Sequence, residues 1–149
     1  MEPFAQFIEK WTHPKYPPKK VTTKELEAVE VRFGPLPLAY KDAVTKHGLP
    51  STSISLLDAI VDGAFELASV NDFFAPEDMI GRTEAWRKLG LPASLVAFAS
   101  DCSGNLFCFR LGKGSTSSAV WFFDHDFITV REVASSFDDW LRAYNDISA

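Results

Sequence analysis

The residues most capable of chemistry lie in the C-terminal third of the chain. Asp124, His125 and Asp126 combine two carboxylates with an imidazole, groups that serve in metal binding and in proton transfer. Alternation along a strand would place both aspartates on one face and the histidine on the other. A metal site needs two or three more ligands, and the sequence suggests none. We therefore expect this triplet to be the solvated end of a hairpin and to hold no metal.

The chain has two thiols, Cys102 and Cys108. A nucleophilic thiol needs a neighbouring base; no histidine is placed by the sequence to serve Cys102, and the adjacent Asp101 disfavours a thiolate. Cys108 stands between two phenylalanines and is typical of a small core residue. An enzyme would have to combine Asp101, Cys102 and Asp124 in a cleft. We therefore expect no catalytic residue and a non-enzymatic protein.

Two further patterns fail to predict a ligand site. Residues 112–116, Gly-Lys-Gly-Ser-Thr, superficially resemble a phosphate loop, but they lack the required spacing and precede a strand instead of a helix. Basic residues are scattered without aromatic residues between them, so no platform for nucleic acid is evident. We expect no cofactor and no nucleic-acid partner.

Charge is distributed unevenly along the chain. The net charge is −5, yet residues 1–20 hold four lysines against two glutamates. Between His47 and Gly81 there is no Lys or Arg, and six acids lie there: Asp58, Asp62, Glu66, Asp72, Glu77 and Asp78. Such a region repels a phosphate backbone and attracts a basic protein. The alternative is the solvated face of an ordinary acidic protein.

The acid-rich stretch is the first candidate for a partner-binding surface. We predict that Phe74 or Trp86 serves as an aromatic anchor, although each ring could instead belong to the core, Trp86 above all because it lies on a helical face. The predicted steering charges are Asp62, Glu66, Asp72, Glu77 and Asp78.

Length and composition favour one ordinary globular domain. A chain of 149 residues can bury a substantial core. Two cysteines are too few for the disulfide framework of a secreted protein, and no stretch has the roughly 20 apolar residues that span a bilayer. The N-terminal segment is acidic at its start and has no continuous apolar region typical of a signal peptide. We expect a cytoplasmic protein with no membrane partner.

The N-terminal third is predicted to be helical. Residues 3–11 have apolar side chains at helical spacing, and the proline-rich residues 13–20 form a stiff connector. Whether this first helix packs on the domain or only flanks it is open. A capping box at residues 22–25 begins a second helix that ends at Gly34. A third helix begins at Pro37 and ends at the glycine of position 48.

The middle of the chain is less clearly patterned. Residues 54–61 are ambiguous between strand and irregular structure, and residues 65–68 are predicted to be a short strand. Proline and acids at residues 76–78 then begin a helix whose Ile80, Trp86 and Leu89 should point inward.

The C-terminal part is predicted to be a sheet closed by a helix. A type I turn at residues 101–104 joins two strands that are apolar on both faces, and residues 119–123 and 128–133 form two more. Ser135 or Ser136 caps a final amphipathic helix. The fold class is therefore α+β: a single domain with a central, mostly antiparallel sheet flanked by helices. We predict an N-terminal helix and connector over residues 1–20 and the domain over residues 21–149.

Three segments, taken in order, resemble the SUKH superfamily. They are the Leu-Pro-x-x-Tyr pattern of residues 36–40 with the glycine at 48, the hairpin of residues 98–109, and Asp-His-Asp at 124–126 followed by Ser-Phe-x-x-Trp-Leu at 136–141. One glycine stands where the family usually has two. The matched positions, which are chiefly structural, are Leu36, Pro37, Tyr40, Gly48, Asp101, Gly104, Asn105 and Trp140.

The resemblance implies a protein-binding function. The superfamily includes fungal Smi/Knr cell-wall-assembly regulators and many bacterial immunity proteins. Bacterial members typically bind a cognate polymorphic toxin domain, often a nuclease or a deaminase, and block it. The leading hypothesis is therefore an immunity protein whose partner is a basic toxin domain. The alternative is a regulatory adaptor that binds a host protein, as the fungal members do.

Overall fold

A computed structural model of the protein describes residues 1–112 and 117–148. The phosphate-loop-like segment therefore lies mostly outside the described residues. Within them, the elements in chain order are α1 (Pro3–Trp11), α2 (Thr23–Phe33), α3 (Leu38–His47), α4 (Ile54–Asp62), β1 (Asp72–Phe73), α5 (Pro76–Arg87), β2 (Leu95–Ser100), β3 (Leu106–Arg110), β4 (Val120–Asp124), β5 (Thr129–Ala134) and α6 (Phe137–Asn145).

The five strands form one antiparallel sheet in the order β1-β2-β3-β4-β5. Each strand pairs with its neighbour in the chain, so short turns suffice to connect β2 with β3 and β4 with β5. Every residue of β2 is buried, because β2 lies inside the sheet with packed layers on both sides. The α+β class and the mostly antiparallel sheet predicted from the sequence are confirmed.

One face of the sheet is covered by aromatic packing with α6. The rings of Phe98 and Phe109 stack with centroids 4.1 Å apart, and Tyr40 and Phe137 approach both rings from α3 and α6. Trp140 packs edge-on against Phe98 at 5.2 Å. This arrangement follows from the apolar stripe of α6, whose turns place successive large side chains on the same side of the helix.

The helix α5 covers the part of β2 that β1 is too short to pair. β1 contributes only two residues, opposite Ala99 and Ser100. Further along β2, the amide of Ala97 donates to the hydroxyl of Thr83 on α5 at 3.0 Å, and Thr83 is itself buried. A buried amide without an acceptor would cost stability, so this side chain replaces a missing strand partner.

The N-terminal helix is part of the core. Phe4, Phe7 and Trp11 of α1 are buried, and the helix packs along α6. The indole of Trp11 donates to the backbone carbonyl of Tyr144 at 3.2 Å, and the side-chain amide of Asn145 donates to the backbone carbonyl of Pro3 at 2.9 Å. The two ends of the described chain are therefore joined by direct hydrogen bonds.

The proline-rich connector also lies against the domain. The backbones of Lys19 and Leu49 exchange two hydrogen bonds, of 2.9 and 2.7 Å. Gly48, which ends α3, has a φ of +85°, and a β-carbon there would lie 2.8 Å from the carbonyl oxygen of Lys19. Both the left-handed conformation and the close approach require a glycine at this position.

Several local predictions are wrong. Residues 54–61 belong to a helix, α4, because Leu56 and Ile60 bury a common helical face. Residues 65–68 form no strand; the chain leaves α4 through Ala64, whose φ is +53°, and its strand pairing with β2 begins at Asp72. Leu89 does not point inward but is exposed, since α5 ends at Arg87.

Element boundaries also differ from prediction by single residues: β4 spans Val120–Asp124 and β5 spans Thr129–Ala134. Pro37 is the N-cap of α3 and lies one residue before the first helical position. Ile128 belongs to the turn before β5, because its positive φ is incompatible with an extended strand.

We expect Phe7→Ala to lower the free energy of unfolding by about 3–5 kcal/mol, because it would leave a cavity between α1 and the rings of Phe73 and Tyr144. Urea unfolding followed by tryptophan fluorescence measures this change. The control is Gln6→Ala, which alters an exposed residue of the same helix. Equal stabilities of the two variants would show that α1 is not part of the cooperative unit.

Candidate binding surface

The hairpin between β2 and β3 uses its polar groups internally. Asp101 is nearly buried, and its carboxylate accepts hydrogen bonds from the amides of Ser103 at 2.9 Å and Asn105 at 2.8 Å. Its second oxygen accepts from the side-chain amide of Asn105 at 3.0 Å. Gly104 supplies the left-handed residue of the turn, with a φ of +85°. These bonds leave the Asp101 carboxylate little capacity for substrate or metal.

A second turn, between β4 and β5, is joined to the first by Asn105. The side-chain Oδ1 of Asn105 accepts a hydrogen bond from the backbone amide of His125 at 3.1 Å and lies 2.6 Å from Nδ1 of the same histidine. Asp124 accepts from the amides of Asp126 and Phe127. The Asp-His-Asp triplet is thus a turn at a hairpin end. Within residues 1–112 and 117–148, no three potential metal ligands converge.

The two cysteines differ in environment. Cys108 is buried between strands, and this burial raises the pKa of its thiol well above the usual range. Cys102 is exposed and borders a cleft near the start of α4. Among the described residues that line this cleft there is no histidine, glutamate or lysine to act as a base.

The predicted steering acids are all exposed but do not form one cluster. Partial burial at the sheet edge raises the pKa of Asp72, the positive charge of Arg82 lowers it and the negative charge of Asp78 raises it. Glu66 instead borders a separate cleft, beside Arg131 on β5. The exposed acids are Asp62, Glu66, Asp72, Glu77 and Asp78.

The cleft beside Glu66 is small. Its volume is about 170 Å³, and its walls include Phe107, Phe122 and Trp140. Sites for cofactors and drug-sized ligands are typically larger, about 300–1,000 Å³. This cleft has room for a single side chain.

The two predicted aromatic anchors occupy different environments. Phe74 is 1% exposed, lies in the core and carries the guanidinium of Arg82 over its ring at 5.3 Å. A ring so deeply packed cannot contact a partner, so Phe74 is corrected to a core residue. Trp86 is half-buried at the C-terminal end of α5, where it packs against Phe123 and His125 at 5.9 and 5.5 Å.

Three large apolar residues that sequence reasoning did not place on a surface lie beside Trp86. Phe127 and Ile128 occupy the β4–β5 turn, and Leu89 follows α5; all three are exposed. The available signal was the Phe-Ile pair inside a predicted hairpin end, where polar residues and glycine are usual.

Most of the residues that match the family pattern are buried or bound a secondary-structure element. Leu36, Tyr40 and Trp140 are buried in the core, and burial raises the pKa of the Tyr40 hydroxyl. Pro37 and Gly48 bound α3 at its two ends.

We expect Asp101→Ala to lower the free energy of unfolding by about 1–3 kcal/mol, because the Ser103 and Asn105 amides lose a buried acceptor. Chemical denaturation measures the loss. Asp101→Asn, which keeps one acceptor oxygen, should lose less. The control is Ser103→Ala, an exposed side chain in the same turn; an equal effect of S103A would contradict this role for the carboxylate.

Comparison with known proteins identifies the family. No curated protein matches the chain. Within the part of the chain that the structure describes, no helix is long and apolar enough to cross a membrane. The profile of the SMI1 / KNR4 family (SUKH-1) matches residues 20–143, from the end of the connector through most of α6. The match covers far more than half of the sequence, and the chain therefore belongs to the SMI1 / KNR4 family (SUKH-1).

Proposed function

We propose that this protein is an immunity protein that neutralises a cognate polymorphic toxin by direct, non-covalent binding. The observation that carries the proposal is membership of the SMI1 / KNR4 family, which supports a non-catalytic role of the immunity or Smi1 kind through protein binding. The proposed toxin is a nuclease or deaminase domain. Binding would act by covering the toxin's active site.

The use of the polar groups supports binding over catalysis. Asp101, Asn105 and His125, which stand where a catalytic set could have formed, hydrogen-bond to one another or to backbone amides across two turns. A general base must instead reach a substrate proton.

The charge distribution supports a basic partner. The acids between residues 62 and 78 are exposed, and no Lys or Arg lies between His47 and Gly81. A nuclease that binds a phosphate backbone has a basic surface. Opposite charges accelerate the encounter of two such proteins.

We also propose an organisation and a location for this activity. Residues 21–149 would form the binding domain, and residues 1–20 would be a helix and connector that brace it through α6. A cytoplasmic location would let the protein meet a nuclease before it reaches nucleic acid.

The same family membership favours a second candidate function, that of a regulatory adaptor for a host protein. An adaptor would bind its partner without protecting cells from a toxin. Growth rescue therefore distinguishes the two functions.

The test co-expresses the tagged protein with toxin domains encoded in adjacent reading frames. We expect a stoichiometric complex and restored growth. An unrelated protein of similar net charge is the control for non-specific rescue. A complex without rescue would favour the adaptor, and rescue equal to that of the control would contradict specific immunity.

We expect Asp72→Lys and Asp78→Lys together to slow association with the toxin by roughly threefold to tenfold at low salt and to weaken its salt dependence. Stopped-flow or surface-based kinetics at two ionic strengths measure this. The control is Asp146→Lys, at an exposed acid after α6, which matches the charge change of either single substitution. Unchanged association rates would place the steering surface elsewhere.

A further inference from the structure

An apolar cluster is exposed at one end of α5. We define the tip cluster as Leu89, Phe127 and Ile128, which are 62%, 77% and 47% exposed. Single exposed apolar residues are common on protein surfaces, but adjacent ones on short turns mark interaction sites.

The two segments that carry the tip cluster approach each other closely at Gly90 and Ile128. A β-carbon on Gly90 would come within 2.6 Å of Cγ2 of Ile128, so the isoleucine rests directly on the loop that carries Leu89. Phe127 precedes Ile128 on the same turn. The cluster therefore joins the end of α5 to the tip of the β4–β5 hairpin.

The backbone at Ile128 is strained. Its φ is +54°, in the left-handed region that favours glycine or asparagine and disfavours β-branched side chains most. A glycine would occupy this position without that strain. The chain instead holds a large apolar side chain there, nearly half exposed, and such strain is typical of functional sites.

The cluster is held on a rigid base. Trp86 packs beneath the turn against Phe123 and His125, and His125 is bonded to Asn105. The carboxylate of Asp124 accepts from two amides of the turn, including that of Phe127. A preorganised apolar projection loses little conformational entropy when it binds.

We propose that the tip cluster is the apolar centre of the partner-binding surface and inserts into an apolar pocket bordered by basic groups on a protein partner. The proposal rests on the proposed function only in taking that partner to be the toxin domain.

The charges around the tip cluster favour a basic protein partner over a second copy of this chain. Asp126 lies on the turn with 73% of its side chain exposed and its carboxylate 3.3 Å from Nε2 of His125, next to Asp124; Arg87 and Lys88 precede the cluster on the helix side. Two copies of this chain meeting tip to tip would bring these acids together, and the net charge of −5 adds to the repulsion. A partner with a basic border is complementary instead.

The acids at the other end of α5 can belong to the same surface. Asp78 lies in the first turn of α5, and the tip cluster lies just beyond its last. Twelve helical residues span about 18 Å. That distance fits within one side of a standard interface of about 800 Å².

The first experiment uses two probe peptides and NMR of the isotope-labelled protein. Both peptides are 15-residue amphipathic helices with the same leucine face; one carries lysines along its borders and the other glutamates. We expect the lysine peptide to shift the amide signals of residues 86–90 and 125–128 and to bind at least tenfold more tightly. Equal binding of both peptides, or shifts located elsewhere, would overturn the proposal.

Two substitutions test the cluster itself. Phe127→Ser should weaken binding of the lysine peptide at least tenfold. Ile128→Gly should weaken it severalfold while leaving the melting temperature unchanged or higher, because glycine relieves the left-handed strain. A purely structural role for the isoleucine would lower the melting temperature instead. The matched control is Val31→Ser, an exposed apolar residue on α2.

The toxin domain separates this proposal from the proposed function. Loss of toxin affinity in F127S but not in V31S supports both. Equal toxin affinity of F127S and the parent protein would overturn the proposed role of the tip cluster in binding. The proposed immunity function would remain. If the lysine peptide binds at the tip cluster but no toxin complex forms and growth is not restored, the immunity function is contradicted. The proposal that the tip cluster is a binding surface is then still supported. Sedimentation velocity tests the remaining occupant. A dimer of the parent protein that is absent in F127S would show that the tip cluster binds a second copy of this chain, which would overturn the proposal of a basic partner.

Discussion

The burial of β2 is the constraint on which the rest of the structure depends. Its six residues are inaccessible to solvent on both faces, yet β1 pairs with only two of them. The remaining polar backbone must find partners inside the protein, since an unpaired buried amide costs stability. Thr83 meets this need from α5, and Trp140 and Phe137 cover Phe98 from α6. The positions of α5 and α6 therefore both follow from the need to bury β2 and to pair its backbone.

The position of α5 in turn determines what the surface presents. With Thr83 directed at β2, the start of the helix lies beside Asp72 and its end lies beside the β4–β5 turn. The hairpin tips are joined to each other by Asn105, so the turn that carries Phe127 cannot move independently of the sheet. Polar residues that could have served catalysis instead hold this geometry.

Sequence reasoning succeeds where the signals are local and fails where tertiary contacts decide. The capping box of Thr22 and Glu25 and the stripe of α6 involve residues three or four apart, and both are present. The helix α4 is not predicted because it is only nine residues long and is apolar on nearly all sides. Buried strands share this sequence pattern. Ile128 is missed because a β-branched residue at a left-handed position contradicts local preference. The left-handed conformation of Ile128 is explained only by a tertiary contact, the packing of its side chain on Gly90.

The two parts of the proposed surface differ in what they can contribute to binding. Exposed acids such as Asp72 and Asp78 act through water and salt, and exposed ion pairs typically add only about 0–1 kcal/mol each. They can therefore speed the encounter without holding the complex together. A buried phenylalanine removes about 150–250 Å² from water, and this contribution is insensitive to salt. Differences in affinity between related complexes lie mostly in the dissociation rate, and burial of an apolar group such as Phe127 is one way to slow dissociation. On the proposed surface, the acids would therefore govern the association rate and the tip cluster would contribute to slow dissociation.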